Sequence, residues 1–166
     1  AKTATERNMT NVGFLRTRIE FIRSFFAEGE IAEIWITFPD PQLKKARVKK
    51  RLTGPLFLAR YALFLKSDGW INLKTDCRHL HDYTKAVVDH NNLECEVANT
   101  DIYGSGRADE ILSIRTFYEA HYIKKGLPIT YMAFRLNNPG ELISPTWDEE
   151  HWYDEEIASH GFVPAN

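Results

Sequence analysis

Asp40 stands between two prolines in Phe38-Pro39-Asp40-Pro41, and six cations crowd the ten residues that follow: Lys44, Lys45, Arg47, Lys49, Lys50 and Arg51. A proline ring fixes its own φ near about −65° and pushes the residue before it toward extended geometry, so this loop should hold its carboxylate in one place. A locked acid beside dense positive charge suits a polyanion whose bases also offer hydrogen-bond donors, and nucleic acid fits that description. Further along, Lys74-Thr75-Asp76 presents a second acid, and Thr116-Phe117-Tyr118-Glu119 a hydroxyl and a carboxylate. Asp76 also reads as a helix N-cap, and T-x-x-E is the signature of a capping box. The histidines point to no metal: His79 and His81 are two apart and share no helix face, and neither a cysteine nor an acid completes a zinc pattern. Cys77 has no evident base beside it, and neither a Ser/His/Asp set nor a phosphate loop is present.

These residues need rigid elements to position them. The chain reads as a short strand over Val12 to Arg16, a helix from Ile19 to Ala27, and a buried strand from Ile31 to Phe38 that the Pro-Asp-Pro loop stops. Thr53 is the expected N-cap, with Pro55 near N1, of a helix running to Lys66, and Ser67-Asp68-Gly69 should end it. A strand follows over Trp70 to Lys74, then a helix from about Arg78 to His90. Leu93 to Asn99 is the next strand and Tyr103-Gly104-Ser105-Gly106 a loop. A helix over Ile111 to Lys124 and a last strand over Ile129 to Leu136 complete the pattern. Alternating strands and helices imply an α/β fold with a mostly parallel sheet, and such sheets bind ligands beyond the carboxyl ends of their strands. Asp40 and Asp76 each follow a strand directly, so both are expected at one rim.

With 166 residues, 43% of them hydrophobic, the chain fits one ordinary globular domain. The apolar runs are too short to span a bilayer, and the polar first ten residues do not read as a signal peptide. With two cysteines, Cys77 and Cys95, a disulfide framework is not expected and a reduced, cytoplasmic setting is. The net charge of −2 conceals an asymmetry: residues 141 to 166 hold seven acids and no Lys or Arg, leaving 21 cations against 16 acids, or +5, over residues 1 to 140. A basic body attracts phosphates, and the acidic tail with Trp147, Trp152 and Tyr153 should fold back over it or pack on another chain.

Taken together and in order, Phe38-Pro39-Asp40-Pro41, Lys44-Lys45, Lys50-Arg51-Leu52, Gly69, Lys74-Thr75-Asp76 and Thr116-Phe117-Tyr118-Glu119 closely resemble the bacterial TrmB-type tRNA (guanine-N7)-methyltransferases, over roughly residues 11 to 136. The resemblance implies a Rossmann-like methyltransferase fold with an antiparallel last strand, S-adenosylmethionine as cofactor and a variable-loop guanine of tRNA as substrate. It implies no metal and no membrane, and leaves monomer and homodimer open. It places Asp40 in the catalytic loop, has Lys44, Lys45, Asp76, Thr116 and Glu119 contact substrate, and sets Arg18, Ile19, Phe38 and Asp40 at the cofactor. Phe38 either stacks there or fills the core. The pattern departs from the family at Arg18-Ile19, where members carry an aspartate and a small residue. The glycine-rich cofactor loop of the family also has no counterpart before Val12, so residues 1–138 are expected to be the carboxyl-terminal two thirds of the domain, with 139–166 as a tail, and to bind cofactor poorly. The competing expectation is a non-catalytic RNA-binding α/β module.

The implied chemistry is simple in proton terms. Guanine N7 already carries an available lone pair, so no general base is needed. Alignment of N7, methyl carbon and sulfur is the main task, and such positioning is worth ~7–11 kcal/mol. Positive charge grows on the purine as the methyl arrives, and a fixed carboxylate accepting from N1–H and N2–H₂ would stabilise it.

Overall fold

Four strands, β1 (Ile31–Thr37), β2 (Leu65–Thr75), β3 (Glu94–Asn99) and β4 (Thr130–Arg135), form one sheet in the order β1-β2-β4-β3. The computed structural model describes residues 2–137 and 139–148. β1 pairs with β2 in parallel, while β4 runs antiparallel to both β2 and β3, so three strands share a direction and only the last opposes them, as expected. The helices are α1 (Lys2–Glu6), α2 (Pro55–Tyr61), α3 (Arg78–His90) and α4 (Phe117–Lys124), with 3-10 turns at Ile19–Phe25 and Lys45–Lys50.

Side chains alternate across the pleat, and β4 shows what each face does. Met132 and Phe134 point into a core shared with Leu58 and Tyr61 of α2, Leu80 and Val87 of α3, and Ile71 and Leu73 of β2. Tyr131 and Ala133 point the other way, into a smaller core with Ile102, Leu112 and Ile129. Helices α2 and α3 thus cover one face, and the loop after β3 together with α4 covers part of the other.

Several expectations need correction. Residues 12 to 16 are irregular and exposed rather than a strand, and the turn at Ile19–Phe25 is 3-10 rather than α-helical. β1 is not buried on both faces. It is a sheet edge among the described residues, only Ile36 is fully buried, and Trp35 remains 36% exposed while stacking on Tyr131 at 6.0 Å. The helix after Pro55 ends at Tyr61, because Leu65 and Lys66 already belong to β2. Ser67-Asp68-Gly69 lies within that strand as an outward bulge: Ile31 pairs with Leu65 and Glu33 with Trp70, so two steps on β1 face five on β2. A Cβ on Gly69 would stand 2.9 Å from the Ala32 carbonyl and 2.7 Å from Leu65 Cγ, which is why glycine occupies the position.

The capping assignments shift as well. Gly54, not Thr53, precedes α2, and the Thr53 hydroxyl lies 2.6 Å from that of Thr84. Cys77 rather than Asp76 caps α3, its sulfur accepting from Leu80 N at 3.3 Å. α4 begins at Phe117, six residues later than expected, behind a turn that covers the second core.

Candidate functional site

Strands β1 and β2 end side by side. Thr37 pairs with Lys74, and Phe38 N donates to Lys74 O at 2.8 Å, so the loops carrying Asp40 and Asp76 leave the sheet at the same rim. The N-terminus of α4 is tied to that rim by Lys74. Its Nζ lies 2.7 Å from Glu119 Oε1, 2.6 Å from Leu112 O and 3.2 Å from the Tyr103 hydroxyl, with Lys74 and Glu119 both buried. The Tyr103 hydroxyl donates to Glu119 Oε1 at 2.6 Å. Burial first, and then this bond to Glu119, hold the Tyr103 hydroxyl above its ordinary pKa.

Thr116 and Glu119 form a complete capping box. The Thr116 hydroxyl accepts from Glu119 N and Glu119 Oε2 accepts from Thr116 N, both at 3.1 Å. Every Glu119 oxygen therefore has a protein partner, and the side chain is fully enclosed. Thr116 itself is exposed at the rim, between Arg115 and α4. Asp76, one residue before the Cys77 cap, is half-buried two residues beyond Lys74.

The Asp40 loop is shaped by its backbone. Phe38 and Gln42 both take positive φ, 48° and 51°, so the chain turns sharply on either side of the two prolines. Asp40 is exposed, and its Oδ1 accepts from Gln42 N at 2.9 Å, a local turn that fixes the carboxylate. Arg51, in sequence one more member of the basic run, is fully buried here instead of facing phosphate. Its Nε donates to Pro41 O at 3.2 Å and its Nη2 to Gln42 O at 3.3 Å, while the guanidinium lies 4.3 Å over the Tyr83 ring. Nη2 also meets His79 Nε2 at 2.8 Å. Since a guanidinium only donates, His79 accepts through Nε2 and is neutral. Burial foremost, and Arg51 next, push His79 down to about 4. Nothing in the run of like charges distinguished Arg51. Its place next to Leu52-Thr53-Gly54, ahead of the Pro55 helix start, was the available signal.

Lys44 and Lys45 stay exposed and form no ion pair among the described residues. Ile19 lines an open cleft of about 460 Å³ along β1, with Ile22, Ile34, Thr37, Pro39 and Leu52. Arg18 is exposed beside it, 3.5 Å from Glu20. Phe38 packs against the second core instead of lining that cleft. Among the described residues no group of three or more His, Cys, Asp and Glu could hold a metal ion, and no helix is long and apolar enough to cross a membrane.

An open α/β sheet whose like-directed strands end at one rim binds ligands beyond that rim. The family described as "Putative methyltransferase" matches residues 1–132, and the chain belongs to this methyltransferase family. Among curated proteins, the tRNA (guanine-N(7)-)-methyltransferase of Porphyromonas gingivalis is 52% identical over 84% of this chain and 57% of its own length. Those of Bacteroides thetaiotaomicron (49%, over 87% of this chain and 57% of the relative) and Christiangramia forsetii (47%, over 82% and 61%) bear the same name. The chain thus spans somewhat more than half the length of these relatives.

Proposed function

We propose that this chain forms the substrate-binding part of a tRNA (guanine-N7)-methyltransferase. The observation that carries the reading is the convergence at one rim: β1 and β2 end together, Lys74 ties α4 to them, and Asp40, Asp76 and Thr116 are thereby brought to one side of the sheet. Asp40 is the residue best placed to accept from guanine N1–H and N2–H₂, because its loop is fixed by two prolines, by Gln42 N and by Arg51. An exposed carboxylate there stabilises the positive charge that N7 acquires. Thr116, exposed at the start of α4, offers its hydroxyl to substrate, while the enclosed Glu119 serves by holding Thr116 and Lys74 in register. Lys44 and Lys45 neutralise tRNA phosphates and set the register of the bound strand without reading sequence.

The cofactor fit rests on the cleft along β1. Its wall of Ile19, Ile34, Pro39 and Leu52 suits the flat adenine of S-adenosylmethionine, and Thr37 and Pro39 bring it to the rim where Asp40 stands. When bound, this cofactor supplies an electrophilic methyl group on a sulfonium sulfur. Arg18 and Ile19 border the cleft from the 3-10 turn, and Phe38 supports the loop from beneath. On this reading the protein acts on tRNA in the cytoplasm.

The test is Asp40→Ala in the full-length enzyme, assayed by methyl transfer to tRNA with the fold monitored by circular dichroism. Because Asp40 is exposed, folding should be unchanged and turnover should fall by at least about 100-fold. Full activity in a folded variant would falsify the assignment.

A further inference from the structure

The segment that follows β4 turns back across α3 and reaches the residues that hold the Asp40 loop. Asn91, at the end of α3, grips its backbone twice: Nδ2 donates to Ile143 O at 2.9 Å, and Oδ1 accepts from Ile143 N at 2.7 Å. Four residues on, Trp147 meets His79 and Tyr83 edge to face, each at a ring separation of 5.7 Å. Leu142 and Trp147 both pack against the larger core. His79 and Tyr83 lie one turn apart on α3, and both hold Arg51, through the 2.8 Å contact to His79 Nε2 and the stacked Tyr83 ring. Arg51 in turn holds the carbonyls of Pro41 and Gln42, and Gln42 N holds Asp40.

We propose that residues 139–148 act as a strap that positions the Asp40 loop, with Trp147 as a positioning residue working through His79, Tyr83 and Arg51. The proposal rests on the reading of Asp40 as the guanine-binding acid. Trp147 packs edge to face on both rings that contact Arg51, which limits them to the orientation that Arg51 requires. A guanidinium held by a neutral imidazole and an aromatic face has little freedom, so the two carbonyls it binds are fixed, and with them the turn that carries the carboxylate. Arg51→Lys should not replace it, because an ammonium cannot span two carbonyls and an imidazole nitrogen as a planar fork does.

The experiment measures amide hydrogen exchange at Gln42 in the full-length protein for Trp147→Ala, Trp147→Phe and Asn91→Ala, with amides of β2 and β4 as the internal reference. Loosening of the strap should speed exchange at Gln42 by about tenfold in Trp147→Ala and Asn91→Ala, leave the β2 and β4 amides protected, and be largely reversed in Trp147→Phe. In whichever of the two loosened variants keeps its β2 and β4 protection, unchanged exchange at Gln42 overturns the proposal. Steady-state methylation of tRNA by the same variants should show reduced kcat with the fold intact. Loss of Gln42 protection without any change in kcat would leave the strap standing and sink the role given to Asp40, so the two failures are distinct.

Discussion

Replacing Lys74 with Met should be among the most damaging single changes in this chain. The substitution preserves length and apolar bulk but leaves the Glu119 carboxylate enclosed, its Oε1 held only by the Tyr103 hydroxyl and its Oε2 by Thr116 N. The Leu112 carbonyl loses its 2.6 Å partner as well. Breaking a buried ion pair by removing one partner costs about 3–5 kcal/mol, and the side chains here are 4% and 0% exposed, so solvent screening offers little relief. That is a large share of the roughly 5–15 kcal/mol by which domains are stable. Glu119→Gln should cost a similar amount, about 3–5 kcal/mol, since it leaves the Lys74 ammonium buried without a countercharge and one amide oxygen cannot accept from both Tyr103 and Thr116 N. The double variant should lie well short of the sum, giving a coupling of at least ~1.5 kcal/mol. Urea unfolding at pH 7, followed by circular dichroism with m-values compared across the four proteins, measures each corner of the cycle. Costs that simply add, or a Lys74→Met variant within about 1 kcal/mol of the parent, would show that the pair is solvated and that Lys74 does not hold α4 to the rim.

Acid should weaken the fold well before the carboxylates titrate. His79 and His81 are both pushed from 6.5 to about 4, burial being the main cause in each; Arg51 acts next on His79, while Asp82 partly opposes the shift of His81. The unfolded chain therefore takes up protons below 6.5 that the folded chain refuses until about 4. The stability present above pH 6.5 is lost at up to about 1.4 kcal/mol per pH unit for each imidazole. Urea midpoints that stay level between pH 7 and pH 5 would contradict this. Gly69→Ala should cost about 1–3 kcal/mol, since the new methyl meets a backbone carbonyl that cannot withdraw, and an unchanged thermal midpoint would count against the tight bulge. Mixed variants of Lys44 and Lys45 to Gln should weaken tRNA binding alike for all sequences and lower its dependence on log salt by about one unit each, as loss of phosphate contacts requires.

Where apolar periodicity was strong, the sequence read true. The strand at Ile31–Thr37, the helix at Arg78–His90, and the strands near Leu93 and Ile129 fall within a residue or two of expectation. It misled where local and tertiary preferences conflict. Leu63, Phe64 and Leu65 continue the spacing of a helix, yet pairing with β1 draws the chain into β2 from Leu65 onward. Ser67-Asp68-Gly69 has the composition of a helix stop but serves as a bulge, a distinction visible only once Ala32 lies opposite. The local geometry around the candidate acids was legible, since the Pro-Asp-Pro run ends β1 and T-x-x-E forms a capping box. The burial of Arg51 was not, because the partners that bury it, Tyr83 and His79, lie about thirty residues away.

The outer margin of β1 hydrogen-bonds to no other strand among the described residues, and its only charge is Glu33. The opposite margin, β3, carries Glu94 and Glu96, which repel a second copy of themselves. Prepared alone at high concentration, the chain therefore has one guarded flank and one adhesive one. Self-association should proceed by strand addition along Ile31–Thr37, and a lysine introduced at Trp35 should suppress it.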